Sequence, residues 1–390
     1  MLVTLNARRV MPGVMLLPFI ELNSFTRSCH LSAVIMQILR LRTLALVVMT
    51  LFAQCLFCVE SVRAHEGWGI VVDRKGQIYF SDIPTNTIWR ITREGKLEAF
   101  LSNKHSHALV LGEDGGIYGT QEHHAIAIGS VWRIEPDGSF SNIFTPAPDF
   151  PLNLHPFTID REGNIYSTNS ISFPNQSDKA TLLKATPDGN ITVLAGGTRG
   201  YRDGRGGEAQ FSGIDGMAWA ADGSLYVTDG VYVRRVTMDG AVTTLGKGAL
   251  TNPSYGEDLM GLAVSHSGSV YVADYSQRRL LQLMPDGNTR TILETGLFWS
   301  PTGVVTVGED LYVLEHLRMP LVILGDIGVG AYARVRKVSP DGSAERIATV
   351  WGRNTSTCTV ALFAVPALFI FFWRFRRRRK IRRSHSAAAA

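Results

Sequence analysis

Residues 70–101 read IVVDRKGQIYFSDIPTNTIWRITREGKLEAFL, and this stretch sets the pattern for most of the chain. It holds four short apolar runs. Turns that contain Gly76 and Gly95 separate the first run from the second and the third from the fourth. Glycine adopts the positive φ values of tight hairpin turns without a steric cost. The stretch therefore predicts four short antiparallel strands in one small sheet.

Both halves of this unit return along the chain. A tyrosine follows the first turn at spacings of 39, 48, 60, 45 and 41 residues, at Tyr79, Tyr118, Tyr166, Tyr226, Tyr271 and Tyr312. The second turn, Asp-Gly in five of its six copies, recurs at Gly95, Gly138, Gly189, Gly240, Gly287 and Gly342. A period of this length is typical of the four-stranded blades of β-propellers.

One such sheet has two apolar faces and is not stable alone. Six of them packed face to face around an axis bury those faces and close a ring. We therefore predict an all-β fold, a six-bladed β-propeller with four-stranded blades, over residues 65–350. A parallel β-helix is the structural alternative, but its repeats are shorter and more uniform than these.

The charges of the chain are unevenly distributed. Residues 65–357 carry 32 acidic and 25 basic side chains, although the whole chain has 39 Lys and Arg against 34 Asp and Glu. An acidic body argues against nucleic-acid binding, because phosphate contacts require a basic face. The four cysteines, Cys29, Cys55, Cys58 and Cys358, all lie outside this segment. We therefore expect no disulfide framework and no thiolate site in the propeller.

Residues 1–64 are predicted to be a leader with a signal peptide. Its apolar core spans residues 44–59, follows Arg40 and Arg42, and precedes a cleavage site after Ala64. Met36 is an alternative start of translation that would shorten the leader. An uncleaved N-terminal anchor is the other interpretation of the same apolar run.

The C-terminal end has the pattern of a membrane anchor. After a linker at residues 351–356, residues 357–373 read TCTVALFAVPALFIFFW, and eight arginines and lysines follow within residues 374–390. This pattern predicts a transmembrane helix over 357–373 with a basic cytoplasmic tail at 374–390. The body is then expected to be extracytoplasmic, in the periplasm or outside the cell.

Propeller geometry predicts which residues share one end of the ring. The innermost strand of each blade runs down the axis and the second strand returns, so residues before the first strand and after the second meet at what we call the upper face. Eleven positions before each tyrosine (ten in blade six) lie the residues that we call the upper ring: Trp68, His107, His155, Asp215, Met260 and Thr302. Thirteen positions before it lie Glu66, His105, Asn153, Gly213 and Asp258, and three after it lie Asp82, Gln121, Asn169, Asp229, Asp274 and Glu315.

Imidazole, carboxylate and amide groups predominate at this face. Such groups are ligands for Ca²⁺, Mg²⁺, Mn²⁺ or Zn²⁺, and we predict that His105, His107 and Thr302 contribute to a ligand-binding surface. A purely structural interpretation stays open beside this one. Asp82, Asp229 and Asp274 also suit the turns that follow a strand, and loop histidines commonly make ordinary hydrogen bonds.

Residues 195–229, AGGTRGYRDGRGGEAQFSGIDGMAWAADGSLYVTD, resemble an NHL repeat, in which a glycine-rich run precedes a pair of strands. The wider superfamily includes the SMP-30/gluconolactonase and streptogramin-lyase propellers. The resemblance implies a divalent metal held by Glu66, by Asn153 or His155, and by Asp215. Its metal would activate a water molecule, and Asp258 or Asp274 would then act as the base.

Two functions remain open on the sequence. The first is a membrane-anchored module that binds a small molecule or an envelope protein, since a propeller fold does not imply catalysis. The second is a metal-dependent hydrolase of a small lactone or ester, of the SMP-30/gluconolactonase type. The membrane is the further partner that we expect, through the C-terminal helix.

Overall fold

The computed structural model describes residues 67–121, 129–135, 139–145, 153–169, 179–246, 248, 250, 259–317 and 331–351. The strands of the first three blades are β1 Ile70–Val72, β2 Ile78–Asp82, β3 Thr87–Ile91, β4 Leu97–Ser102, β5 Leu109–Leu111, β6 Ile117–Gln121, β7 Ser130–Ile134, β8 Phe140–Phe144, β9 Asn153–Ile159, β10 Ile165–Thr168, β11 Lys179–Ala185 and β12 Ile191–Thr198. Those of the last three are β13 Gly204–Arg205, β14 Ile214–Trp219, β15 Leu225–Asp229, β16 Tyr232–Val236, β17 Ala241–Leu245, β18 Leu259–Val264, β19 Val270–Asp274, β20 Arg279–Leu283, β21 Thr289–Glu294, β22 Trp299–Val307, β23 Asp310–Leu317, β24 Ala331–Val338 and β25 Ala344–Trp351.

The described strands form six antiparallel sheets, and each sheet is built from consecutive strands. This arrangement confirms the prediction of six blades. Five of the sheets have four strands, as predicted, whereas blade four has a fifth. The additional strand is β13, which pairs with the outermost strand β17 through Gly204↔Val242 and Arg205↔Ala241. It comes from the glycine-rich run, which also forms a short 3₁₀ helix at Gly206–Glu208.

The core is divided among the junctions between blades. Phe80 on one face of blade one shares a cluster with Leu314 of blade six, and Val71 on the other face shares a cluster with Leu109 of blade two. Four further clusters of described residues fill the remaining junctions around the ring. Each sheet therefore buries both of its apolar faces, and each large apolar side chain contributes about 1.5–3 kcal/mol to folding.

The ring closes where the innermost strands of blades six and one meet. A Cβ atom at Gly303 would lie 2.1 Å from the carbonyl oxygen of Trp68, so only glycine permits this approach. An equally close approach occurs between blades four and five, since a Cβ atom at Gly216 would lie 2.3 Å from the carbonyl oxygen of Met260. Glycines on the innermost strands thus bring the upper ends of adjacent blades together.

The repeated tyrosines stabilise the lower turns of the first three blades. The hydroxyl of Tyr118 donates to Asp114 Oδ2 at 2.8 Å, and the hydroxyl of Tyr166 donates to Asp160 Oδ2 at 2.9 Å. Each aspartate lies in the turn between the first and second strands. Burial, reinforced by Asp114, raises the pKa of Tyr118 to about 12, which keeps its hydroxyl protonated as a donor.

Among the described residues there is no helix of the length and apolar character needed to cross a bilayer. The predicted signal-peptide core at 44–59 and the predicted anchor at 357–373 both lie outside those residues.

Candidate functional site

In blades four, five and six the upper-ring residue lies in an irregular position of its strand, as His155 of blade three also does between Asn153 and Phe157. In blades four, five and six the pairing of the first strand with the second shifts register between Ile214 and Gly216, between Leu259 and Leu262, and between Pro301 and Gly303. Asp215, Met260 and Thr302 lie inside these shifts. A bulge leaves a residue out of the regular ladder and changes the direction of its side chain, and here the change occurs at the positions predicted for the site.

The carboxylates at or near the ends of the second strands of blades four to six are buried and paired with arginines of the third strands. Asp229 accepts a hydrogen bond from Arg234 at 2.7 Å. Asp274 accepts one from Arg279 at 2.8 Å, and Glu315 accepts one from Arg334 at 2.6 Å. All three acids have fully buried side chains, so the arginines compensate charges that water does not reach.

The same arginines also hold the segments that lead into their blades. They donate to the backbone oxygens of Gln210, Leu250 and Thr295 at 3.2, 3.0 and 3.1 Å respectively. Each acid–arginine pair therefore joins the second strand, the third strand and the incoming chain of one blade. In the sequence, each acid–arginine pair is indicated by an arginine in the third strand of its blade, at positions 234, 279 and 334.

Asp274 was predicted both as a catalytic base and, alternatively, as a structural residue. Its Oδ2 accepts from Arg279, and its Oδ1 accepts from the Ser276 hydroxyl at 3.1 Å and from the Gln277 backbone N–H at 3.0 Å. These contacts cap the turn after β19 and favour the structural role.

Asp82 has a different environment from the other buried acids. Its Oδ2 accepts hydrogen bonds from the Thr85 hydroxyl at 2.5 Å and from Trp89 Nε1 at 3.3 Å. Burial raises the pKa of Asp82 to about 6, against the opposing effect of these two donors. A carboxyl group with this pKa changes its charge just below neutral pH.

Two histidines lie together where the chain begins the innermost strand of blade two. Nε2 of His105 is 3.1 Å from Nε2 of His107, and Nδ1 of His105 is 3.0 Å from Oδ1 of Asn86. The His107 ring is buried, with its centroid 5.3 Å from that of Trp68. The structure therefore brings two residues of the predicted ligand-binding surface, His105 and His107, into direct contact.

Thr302 belongs to a separate polar group in blade six. Its hydroxyl is 2.9 Å from Nδ1 of His316, a buried histidine that the sequence analysis did not identify as a candidate. Burial lowers the pKa of His316 to about 3, so the ring is neutral at physiological pH. His316 follows Glu315 near the end of the second strand of blade six and lies four residues after Tyr312. A polar residue at this position is the sequence feature that could have identified His316 as a candidate.

The structure describes the side chain of one of the four predicted metal ligands. Asp215 is half-buried and presents an oxygen donor suited to a divalent cation. Asn153 and His155 lie in β9, but their side chains are outside the described part of the chain, as are Glu66 and the predicted base Asp258. Within the described ranges, no three His, Cys, Asp or Glu side chains are grouped to hold a metal ion.

An axial channel lies below the upper ring. The innermost strands of all six blades line it, and it has a volume of about 370 Å³. Most of its lining residues are apolar, Phe157, Trp219 and Val264 among them, but polar atoms make up about half of its exposed surface; Trp68 of the upper ring also lines it. Arg161 and Glu113 line the lower part and form an ion pair at 2.6 Å. The volume falls within the range of small-molecule sites in proteins.

The family described as "SMP-30/Gluconolactonase/LRE-like region" matches residues 66–315. Among solved structures, a luciferin-regenerating enzyme aligns with a TM-score of 0.50 and 16% identity, over 75% of this chain and 95% of that one. The calcium-binding protein regucalcin from Agrobacterium tumefaciens aligns with a TM-score of 0.49 and 14% identity, over 74% of this chain and 92% of that one. Virginiamycin B lyase from Staphylococcus aureus aligns with a TM-score of 0.45 and 16% identity, over 72% of this chain and 83% of that one. At these identities the similarity concerns the fold alone. A search of curated proteins found no match to the chain.

Proposed function

The chain belongs to the SMP-30/gluconolactonase/LRE-like family, and we propose that it is a membrane-anchored, extracytoplasmic propeller that binds a small molecule. The ligand has an apolar part that enters the axial channel and a polar end that stays at the upper face. In this proposal the segment 357–373 crosses the membrane and the tail 374–390 is cytoplasmic.

The axial channel is the observation that carries this proposal. Its volume of about 370 Å³ and the apolar side chains among its lining residues suit the apolar part of a small ligand. Burial of apolar surface there supplies affinity of about 0.8 kcal/mol for each methylene group. Polar atoms make up about half of the channel surface, so they can orient the ligand together with the polar groups at the mouth.

Polar and aromatic side chains of the upper ring suit that orienting role. Trp68 lines the channel and contacts the ring of His107, while Asp215 is half-buried in its bulge. An indole supplies a flat apolar surface, and a carboxylate accepts hydrogen bonds from hydroxyl or amide groups. We therefore expect a ligand with hydrogen-bond donors at one end and a hydrocarbon or aromatic portion at the other.

Membership of the family favours a second function, metal-dependent hydrolysis of a small lactone or ester. Glu66, Asn153, His155 and Asp215 would hold the ion, and Asp258 is the candidate base. When bound, a divalent ion polarises a carbonyl group and lowers the pKa of a water molecule. The oxygen donor of Asp215 is compatible with Ca²⁺, Mg²⁺, Mn²⁺ or Zn²⁺.

A panel of γ-lactones with alkyl chains of increasing length tests both functions on the full chain in lipid nanodiscs. If the channel holds the alkyl chain, affinity measured by calorimetry should rise about fourfold per methylene until the channel is full. Empty nanodiscs correct for partition into lipid. Val264→Trp, in the channel wall, should remove the dependence on length, whereas Val193→Trp, at an exposed position on the outermost strand β12, should retain it. Affinity that does not depend on chain length would refute the channel as the binding site.

Acid release measured in the same samples separates binding from hydrolysis. Binding without ring opening, with or without added divalent ions, supports the binding module. Ring opening that EDTA abolishes and a divalent ion restores supports the hydrolase, and Asp215→Asn should then weaken metal affinity.

A further inference from the structure

We propose that His105 and His107 form a two-histidine site for a transition-metal dication at the junction of blades one and two. Neither histidine is among the residues that line the channel, although Trp68 lines it and contacts the ring of His107. The site uses none of the ligands Glu66, Asn153, His155 and Asp215. The observation that carries the proposal is the position of the two Nε2 atoms, 3.1 Å apart.

Local backbone geometry places both rings on the same side of the chain. The two histidines are two residues apart in the segment that leads into β5, and in extended chain such residues share a face. Ser106 lies between them and is buried. Its hydroxyl donates to the Ala108 carbonyl at 2.8 Å and accepts from the Thr120 N–H at 2.8 Å. The serine thus anchors the segment to blade two.

The distance between the rings matches a pair of adjacent metal ligands. A metal–imidazole bond is about 2.0–2.1 Å long, which places two ligand nitrogens about 3.3 Å apart at a tetrahedral angle and about 2.9 Å apart at a right angle. The observed 3.1 Å lies between these values. A metal ion that replaces the hydrogen bond between the rings therefore requires almost no movement of either ring, while the proton between the two Nε2 atoms moves to Nδ1 of His107 or is released to solvent.

Asn86 sets the tautomer of His105. Its Oδ1, 3.0 Å from Nδ1 of His105, accepts hydrogen bonds and does not donate them, so Nδ1 carries the proton. The lone pair of His105 is then on Nε2, the atom that faces His107. Metal-binding histidines characteristically donate from their other ring nitrogen to a fixed acceptor, which sets both tautomer and orientation.

Backbone hydrogen bonds hold the main chain at Asn86 and at His107. Asn86 has a positive φ of 48°; its N–H donates to the Ile83 carbonyl and its own carbonyl accepts from the Lys104 N–H, both at 2.9 Å. The carbonyl of His107 accepts from the N–H groups of Trp68 and Gly69, both at 2.8 Å. Because the main chain around the two histidines is held in place, less conformational freedom is lost when a metal binds to them.

The ligand type indicates which metals are bound. Imidazole nitrogens suit Cu²⁺, Zn²⁺ and Ni²⁺, whereas Ca²⁺ and Mg²⁺ select oxygen ligands. Two protein ligands leave further coordination positions for water or an added ligand, and His105 is partly exposed to solvent. The expected centre is therefore an open one at the edge of the upper face.

Cu²⁺ titration of the full chain in nanodiscs tests the proposal, with affinity from calorimetry and nitrogen coordination from electron paramagnetic resonance. We compare His105→Gln, His107→Gln and the double variant with His266→Gln, a matched control that removes an exposed histidine from a lower turn of blade five. Because a chelate needs both rings, each single variant should lose at least tenfold in affinity. The double variant should lose little more, and the signal from two coordinated imidazoles should disappear.

Two results would overturn the proposal. One is a two-imidazole signal that persists in the double variant, and the other is equal affinity in His105→Gln and His266→Gln. His107 is buried, so its variant is checked by circular dichroism, while the partly exposed His105 provides a variant that tests the site without disturbing the core. The readout uses no lactone and no channel variant, so it is independent of the proposed function.

Discussion

Arg234 donates a hydrogen bond from Nη1 to Oδ2 of Asp229 at 2.7 Å, and the two side chains are 1% and 0% exposed. Arg234 also pairs through Nη2 with the half-exposed Asp203 at 2.8 Å. Asp203 in turn accepts from the backbone N–H and the hydroxyl of Thr244. One arginine therefore connects the second strand of blade four, its outermost strand and the glycine-rich run that precedes the blade.

Replacement of this arginine should strongly destabilise the propeller. Arg234→Met leaves the Asp229 carboxylate buried without its counter-charge, and we expect a loss of about 3–5 kcal/mol in the free energy of unfolding. The neighbouring Arg235 pairs with Asp222 at 2.9 Å, and both of those side chains are more than one third exposed. Arg235→Met should therefore cost less than about 1 kcal/mol. Chemical denaturation of both variants makes the comparison, and equal losses would contradict it.

Asp274→Asn should mainly affect stability. The substitution removes the charge that pairs with Arg279 and disturbs the cap of the turn after β19, and we expect a loss of about 1–3 kcal/mol. Asp286→Asn, in an exposed turn of the same blade, should lose less than about 1 kcal/mol. The free energy of unfolding and lactone turnover are measured for both variants. An Asp274→Asn protein of unchanged stability and abolished turnover would instead assign this residue to catalysis.

Gly303→Ala should weaken the closure of the ring. The added Cβ would lie 2.1 Å from the carbonyl oxygen of Trp68, so the innermost strands of blades six and one must separate. We expect a loss of about 1–3 kcal/mol. Gly207→Ala is the matched control, because its Cβ would meet no atom within 4 Å. Thermal unfolding of the two variants should differ by several degrees, and coincident transitions would argue against this closing contact.

The stability contribution of Asp82 should fall as pH rises from about 4 to about 6. Its pKa is raised from 3.8 to about 6 in the folded chain, mainly by burial. Between these values the folded protein retains a proton that the unfolded chain has released, so the contribution of Asp82 to stability is most favourable below pH 4. A shift of about two pKa units corresponds to about 3 kcal/mol.

Asp82→Asn removes this titration. Relative to the unsubstituted chain, its free energy of unfolding should increase as pH rises from 4 to 6, as measured by denaturation at several pH values. Asp188 provides the control, because its pKa is lowered from 3.8, first by the Thr186 hydroxyl. The stability of Asp188→Asn relative to the unsubstituted chain should fall with rising pH mainly below pH 4, and stay almost constant between pH 4 and pH 6. A pH-independent difference for Asp82→Asn would show that the carboxyl is not perturbed.

Much of the candidate site could be predicted by counting from the repeated tyrosines. His105 and His107 were assigned to the upper face in this way, and the structure places their rings in contact. The count succeeds because each hairpin turn fixes the register of its two strands, so a constant number of residues separates the turn from the upper face. The bulges at Asp215 and Thr302 interrupt the ladder only after this register is set.

Other features could not be predicted because they depend on residues far apart in the chain. The fifth strand of blade four requires the glycine-rich run to reach β17, and the pairing of Arg234 with Asp203 spans 31 residues. His316 is neutral because packing removes it from water, and no local pattern reports that burial.

The sequence by itself determined the repeating sheet, its turns and the number of blades, because strand alternation and glycine turns are local properties that recur wherever the same residues recur. The tertiary structure alone decided how wide the channel is, how closely Gly303 approaches Trp68 where the ring closes, and how deeply His107 and His316 are buried. Those outcomes depend on distances of a few ångströms between blades, and such distances are set by the packing of side chains that lie tens or hundreds of residues apart.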